Sequence, residues 1–114
     1  MTMIISNSAA QGQRVRELFQ RAVAQIRAAH FLDAMSNLGE LLELDPGHAD
    51  ALACRGWIHA MHGNGVAARA DLQAALRHAP AGWPRRGEVL AQLAIEDDQV
   101  DATRDFATEP TVAA

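Results

Sequence analysis

Equivalent residues recur along this chain at a fixed interval of 34 positions. Ala34, Ala68 and Ala102 are separated by this interval, and Pro46 and Pro80, each of which follows an apolar run, repeat it. The same interval relates three large residues, Leu38, Leu72 and Phe106. A fixed period of this length indicates one supersecondary unit copied end to end, because a single unit cannot bury its own apolar face. We therefore predict a stack of similar units, each in contact with its neighbours.

Within each unit the apolar residues follow the periodicity of an amphipathic helix. The first helix carries them at Val15, Leu18, Phe19, Ala22, Val23 and Ile26. This is the i, i+3, i+4, i+7 pattern of a helix with one buried face. Proline and glycine then separate the runs, as at Pro46 with Gly47 and at Gly63 with Gly65. No stretch alternates as a β-strand does, so we expect an all-α fold of about six helices.

These runs also predict the domain organisation. Residues 1–12 have no period and are expected to form a flexible N-terminal arm, and residues 13–107 are expected to form the folded domain. The three helix-turn-helix repeats are expected at about 15–48, 49–82 and 83–108. A short sixth helix is predicted at roughly 99–107, and the tail 108–114 is expected to be disordered.

Composition narrows the class of protein. A chain of 114 residues is long enough for one domain with a modest core. The net charge of −4 and the pI of about 5.6 argue against non-specific binding of nucleic acid, which needs a basic surface. A single cysteine, Cys54, excludes an internal disulfide framework. No apolar stretch is long enough for membrane insertion and the start does not read as a signal peptide, so we expect a soluble cytoplasmic protein.

The chain resembles the tetratricopeptide-repeat (TPR) family over about residues 15–108. The middle copy matches the family's pattern of large, small, turn and proline residues at Leu52, Gly56, Gly63, Ala68, Leu72, Ala75 and Pro80. The first copy departs from it with Ala29 at the turn, and the third begins with Pro84 and has no closing proline. The resemblance implies a helical solenoid of three helix-turn-helix repeats; the alternative is an ordinary helical bundle with a coincidental period.

In TPR proteins the first helix of each repeat lines a concave, peptide-binding surface. Carried onto this chain, the resemblance places nine mostly apolar residues in that groove: Phe19, Val23, Ile26, Ala53, Trp57, Ala60, Met61, Ala91 and Ile95. Trp57 would lie at the centre, as a large aromatic anchor. An apolar groove suits an amphipathic helix or an apolar segment of another protein. Alternatively, these residues pack against one another, or the N-terminal arm covers them.

Catalytic and metal-binding chemistry is poorly represented. His59 and His62 are three positions apart but have no further ligand at metal-binding spacing. Cys54 and His59 point away from each other on a helix, so a nucleophile pair is not expected. Arg85 and Arg86 could hold a carboxylate, although adjacent arginines are a weak indication. The chain lacks lysine, which disfavours the Lys-Asn-Arg carboxylate clamp of some TPR domains. We expect no enzyme activity, no cofactor and no metal.

The expected function is therefore that of a protein-binding module, either an adaptor or a chaperone. Small stand-alone proteins with three TPR repeats resemble the cytoplasmic chaperones of bacterial type III secretion, which makes that role one specific possibility. A structural module that forms a homo-oligomer, such as a homodimer, is an alternative. A non-catalytic subunit of an enzyme complex is another. The sequence does not name the partner.

Overall fold

Every regular element in the described part of the chain is an α-helix. The computed structural model describes residues 2–97, with side chains from residue 9 onward. Four helices have defined ends: α1 (Thr2–Arg27), α2 (Phe31–Leu44), α3 (Ala49–Met61) and α4 (Gly65–His78). A fifth helix, α5, begins at residue 86 and continues to residue 97. The predicted all-helical class is confirmed over these residues.

The largest difference from the sequence prediction lies at the start of the chain. Residues 2–12 were predicted as a loose arm, yet α1 begins at Thr2 and runs for 26 residues. The segment contains no proline, and Gly12 is its only glycine, so nothing stops the helix from extending towards the N-terminus. The predicted sixth helix at 99–107 and the tail 108–114 lie outside the described residues.

The 34-residue interval relates positions that are structurally equivalent. Helices α2 and α4 both contain 14 residues and begin 34 positions apart. Ala34 and Ala68 are the fourth residues of these helices, and Leu38 and Leu72 are the eighth. All four side chains are fully buried. The period seen in the sequence thus repeats a buried face of the second helix in each of the first two helix pairs.

Successive helices pack against one another, with contacts between α1 and α2, between α2 and α3, and between α3 and α4. Helices α3 and α4 approach each other closely at Gly56. A Cβ atom placed on Gly56 would lie 2.9 Å from both Cγ and Cδ2 of Leu72 and 3.3 Å from the carbonyl oxygen of Ala68. Only a residue without a side chain fits here, because Leu72 and Ala68 are fully buried and have little room to move. Ala22, one interval earlier, is also fully buried.

Polar pairs repeat at the same interval as the apolar core. In the first helix pair, Asn37 Nδ2 donates a hydrogen bond of 2.7 Å to Gln25 Oε1. In the second pair, the equivalent positions are His59 and Asp71, whose Nε2 and Oδ2 atoms lie 3.7 Å apart. Arg55 adds a bidentate interaction with Asp71 at 2.7 and 2.8 Å. Each helix pair is therefore joined by a polar bridge as well as by its core.

The turns inside the two helix pairs have the same hydrogen bonds but different residues. Ala29 and Gly63 both have positive φ angles, of 62° and 78°. After α1, the Ala29 and His30 amides donate to the Ile26 and Gln25 carbonyls, and the same pattern follows α3. This is the Schellman arrangement, in which glycine is preferred because the left-handed conformation strains a side chain. The first turn therefore carries strain that the second turn avoids.

Exchanging these two turn residues should change stability in opposite directions. Ala29→Gly removes the left-handed strain and should raise the free energy of unfolding by about 1 kcal/mol. Gly63→Ala should lower it by about the same amount, for backbone reasons alone, since a Cβ there would have no atom within 4 Å. Urea denaturation followed by circular dichroism measures both. A destabilising Ala29→Gly substitution would contradict the left-handed geometry of the first turn.

Alanine substitutions at two helical glycines should change the free energy of unfolding in opposite directions. Gly56→Ala should destabilise the protein by about 1–3 kcal/mol, because crowding against Leu72 outweighs the gain of about 1 kcal/mol in helix propensity. Gly39→Ala, in α2, is the matched control, since a Cβ there would meet nothing within 4 Å. It should stabilise the protein by about 0.5–1 kcal/mol. If both variants proved more stable than wild type, the close packing at Gly56 would be disproved.

Candidate binding pocket between α1 and α3

An open pocket of about 220 Å³ lies between the C-terminal part of α1 and α3, and the segment before α5 closes one side. Most of its surface is apolar. The lining residues are Val23, Ile26, Arg27, Cys54, Trp57, Ile58, Met61 and Arg85. We refer to this as the α1–α3 pocket. Two other depressions, of about 310 and 340 Å³, bring together fewer large apolar side chains.

Helix periodicity explains why these side chains share one surface. On α3 the lining residues are Cys54, Trp57, Ile58 and Met61, at relative positions i, i+3, i+4 and i+7. Residues at these spacings lie on one side of a helix, and Val23 and Ile26 are related in the same way on α1. Val23 and Trp57 are also separated by the 34-residue interval. Arg27 and Met61 are a second pair of lining residues separated by this interval.

Four of the nine predicted groove residues line this pocket, namely Val23, Ile26, Trp57 and Met61. Met61 is 58% exposed, and Trp57 is half-buried. These two residues give the pocket a large aromatic surface beside a flexible thioether, a combination that adapts well to apolar side chains.

The other five predicted residues lie elsewhere. Ala53 is fully buried in the core, so its placement in the groove was wrong. Phe19 packs against the core, and its ring centroid lies 5.2 Å from that of His48. Ala60 is half-buried without lining the pocket, and Ala91 and Ile95 are exposed on α5. The predicted groove shares residues of α1 and α3 with this pocket, but the sequence register did not separate the buried side of each helix from the open side.

Arg85 is the most informative residue that the groove prediction omitted. Its guanidinium carbon lies 5.8 Å from the centroid of the Trp57 ring, within the range of a cation–π interaction. Its Nε lies 3.5 Å from Asp50 Oδ1, and its Nη1 lies 3.6 Å from Cys54 Sγ. Arg85 therefore covers one side of the pocket and joins the segment before α5 to α3. Its neighbour Arg86 is exposed and does not line the pocket.

Trp83 fixes the segment that carries Arg85. The Trp83 side chain is buried, and its Nε1 donates a hydrogen bond of 3.0 Å to Asp50 Oδ1. The amide of Trp83 also donates to the Pro80 carbonyl at 3.1 Å. Asp50, in the first turn of α3, thus accepts from Trp83 and pairs with Arg85. No periodic pattern marks these contacts, so they could not be predicted from the sequence.

Cys54 lies at the base of the pocket as a protonated thiol. Burial raises the pKa of this thiol above its ordinary value of 9.0, although the hydrogen bond and charge of Arg85 partly oppose the effect. A thiol of this kind is a weak nucleophile, because the thiolate is the reactive form. The side chain therefore contributes apolar packing to the pocket.

The histidines near the pocket have structural partners. His62 Nδ1 lies 2.9 Å from the Ile58 carbonyl oxygen, and the His62 ring packs edge-on against Phe31 at a centroid distance of 6.0 Å. His59 faces Asp71, as described above. Among residues 9–97, no three histidine, cysteine or acidic side chains are grouped as a metal site would require. In the same part of the chain, no helix has the length and hydropathy needed to cross a bilayer.

Comparisons with known proteins identify no relative. No protein-family model matches the chain, and no curated protein or solved structure gives a significant match.

The raised pKa of Cys54 predicts how stability depends on pH. The chain contains neither lysine nor tyrosine, so Cys54 is the only side chain that ionises in the alkaline range below arginine. Above pH 9.0 the unfolded thiol loses its proton while the folded thiol keeps it, so stability should fall as pH rises. The slope cannot exceed about 1.4 kcal/mol per pH unit, which is the limit for a single proton.

Urea denaturation across this pH range measures the slope, and Cys54→Ala is the control, since its stability should change little. Equal slopes in both proteins would show that Cys54 is not buried as a neutral thiol.

Proposed function

We propose that this chain is a TPR-type helical repeat protein that binds a segment of another protein in the α1–α3 pocket, as an adaptor or chaperone. The observation that carries the proposal is that the sequence repeat and the pocket involve the same residues. Residues related by the repeat interval, Val23 and Trp57, both line an open, apolar pocket. In repeat proteins, neighbouring units create an extended surface of this kind, which binds polypeptides.

The size of the pocket supports a peptide ligand. Sites for small molecules and cofactors usually enclose about 300–1,000 Å³, whereas this pocket measures about 220 Å³. A cavity of about 150 Å³ already accommodates a benzene ring, so one large apolar side chain would fit here. A partner that inserts a single side chain and extends along the helices on either side would use both the pocket and the surrounding surface.

The chemistry of the pocket supports binding over catalysis. Cys54, the one potential nucleophile in its wall, is held as a neutral thiol. Asp50, the nearest acidic group, is occupied by Trp83 and Arg85. Neither group is placed to transfer a proton to a bound molecule. An apolar wall around Trp57 instead resembles the centre of a protein interface, where aromatic side chains contribute most of the affinity.

Trp57→Ala tests the proposal, with Leu32→Ala as the matched control. Both variants remove a large side chain, but Leu32 is 83% exposed and does not line the pocket. Affinity capture with wild-type protein from cells of the source organism should retain a partner that the Leu32 variant also retains. Binding of that partner to Trp57→Ala should weaken by about 2 kcal/mol, roughly thirtyfold in Kd. Helicity by circular dichroism should match that of wild type.

Two results would contradict the proposal. Unfolding of Trp57→Ala would show that this residue belongs to the core. A stable dimer in which acrylamide cannot quench Trp57 would instead support self-association, the alternative function. Trp57→Phe identifies the Trp57 contribution to fluorescence, since the other tryptophan, Trp83, is buried.

A further inference from the structure

The rim of the α1–α3 pocket is basic, although the protein as a whole is acidic. Two of the eight lining residues, Arg27 and Arg85, are arginines, and none is an acid. The formal net charge of the chain is −4. A positive rim around an apolar pocket in an acidic protein would attract negative charge to this position and repel basic ligands.

The contacts of Arg85 leave most of its hydrogen-bonding capacity for a ligand. A guanidinium has five N–H donors. Within the described residues, Arg85 is 3.5 Å from Asp50 Oδ1 and 3.6 Å from the Cys54 sulfur, which is a weak acceptor. The Asp50 oxygen already accepts a shorter bond of 3.0 Å from Trp83. The side chain of Arg85 is 34% exposed, so a carboxylate can reach it from solvent.

Arg55, on the same helix as Trp57, is an arginine that already has a carboxylate partner. Its Nε and Nη2 bind both oxygens of Asp71 at 2.7 and 2.8 Å, in the bidentate geometry that arginine prefers with a carboxylate. Arg85 has no such partner among the described residues. Arg27 is exposed in the last turn of α1 and takes part in none of the ion pairs between described side chains.

We infer that the α1–α3 pocket recognises a segment of another protein in which a large apolar side chain is adjacent to an aspartate or glutamate. The apolar side chain enters the pocket against Trp57, and the carboxylate binds Arg85, with Arg27 adding to the positive field. This inference rests on the proposed function and adds a charge requirement to it. Arg85 is held over the Trp57 ring, so both parts of the ligand contact neighbouring groups of the protein.

Selection from a displayed library of random short peptides on the full-length protein tests the inference. Wild-type protein should select peptides that carry Asp or Glu within one helical turn of Phe, Leu, Met or Trp. Arg85→Gln should still select apolar peptides but lose the acidic preference, and Arg27→Gln should lose part of it. Arg86→Gln is the control, because Arg86 is exposed and outside the pocket. It should select the same peptides as wild type.

A double-mutant cycle between Arg85 and the acidic residue of one selected peptide measures how much their contact contributes to affinity. Replacing its acidic residue by the amide should weaken binding to wild type about tenfold, the usual effect of a hydrogen bond to a charged group. The same replacement should change the affinity for Arg85→Gln less than about twofold. Thermal melting of Arg85→Gln by circular dichroism checks that the variant is folded. Added salt should raise the Kd of the acidic peptide more than the Kd of its amide counterpart.

The possible results separate this inference from the proposed function. Apolar peptides without acidic enrichment would overturn the charge requirement and leave groove binding intact. Absence of any selected peptide would overturn both. If sedimentation showed a dimer of wild-type protein that peptide binding dissociates, the occupant would be a second copy of the chain, and the inference would fail. An undiminished acidic preference in Arg85→Gln would also disprove the role of Arg85.

Discussion

The close approach of α3 to α4 at Gly56 is the constraint on which the rest of the structure depends. With Leu72 side-chain atoms 2.9 Å and the Ala68 carbonyl oxygen 3.3 Å from where a Cβ would lie, α3 and α4 leave no room for a side chain at this position. Trp57 follows Gly56 directly, and successive side chains on a helix differ by about 100°. The position that packs α3 against α4 therefore also turns the tryptophan towards α1. Core packing and the apolar wall of the α1–α3 pocket are consequences of one helix orientation.

The two helix pairs keep the same packing while they differ in their turns. Fully buried Ala34 and Leu38 correspond to Ala68 and Leu72, and a polar bridge joins the helices in both pairs. By contrast, Asn64 accepts a hydrogen bond from the amide of Ala67, whereas no side-chain bond caps the start of α2. Packing depends on many contacts at once, so equivalent core positions stay alike. A turn is local, and its strain of about 1 kcal/mol can be offset elsewhere.

Structural features that repeat along the chain could be predicted from the sequence, and the features that do not repeat could not. Apolar spacing identified the helices, and the repeat register placed Val23 and Trp57 in one groove, where both line the α1–α3 pocket. It could not show that α1 begins at Thr2, because a helix without a stop residue has no boundary in the pattern. Groove positions carried over from the resemblance included Ala53, and a small apolar residue does not reveal whether its position is in the core or on an open face. Arg85 had no periodic neighbour to indicate that it lies over Trp57.

The apolar walls of the pocket and its positive charge come from different parts of the chain. Its apolar walls come from repeated helices, and any stack of similar units would generate a comparable surface. Arg85 comes from the irregular segment before α5. The hydrogen bond from buried Trp83 to Asp50 of α3 fixes the backbone of this segment, and Arg85 also pairs with Asp50. An apolar wall discriminates weakly among large apolar side chains, because one methylene is worth only about 1–3 kcal/mol. Under the proposed function, selectivity among partners would therefore come chiefly from the charged, non-repeated side of the pocket.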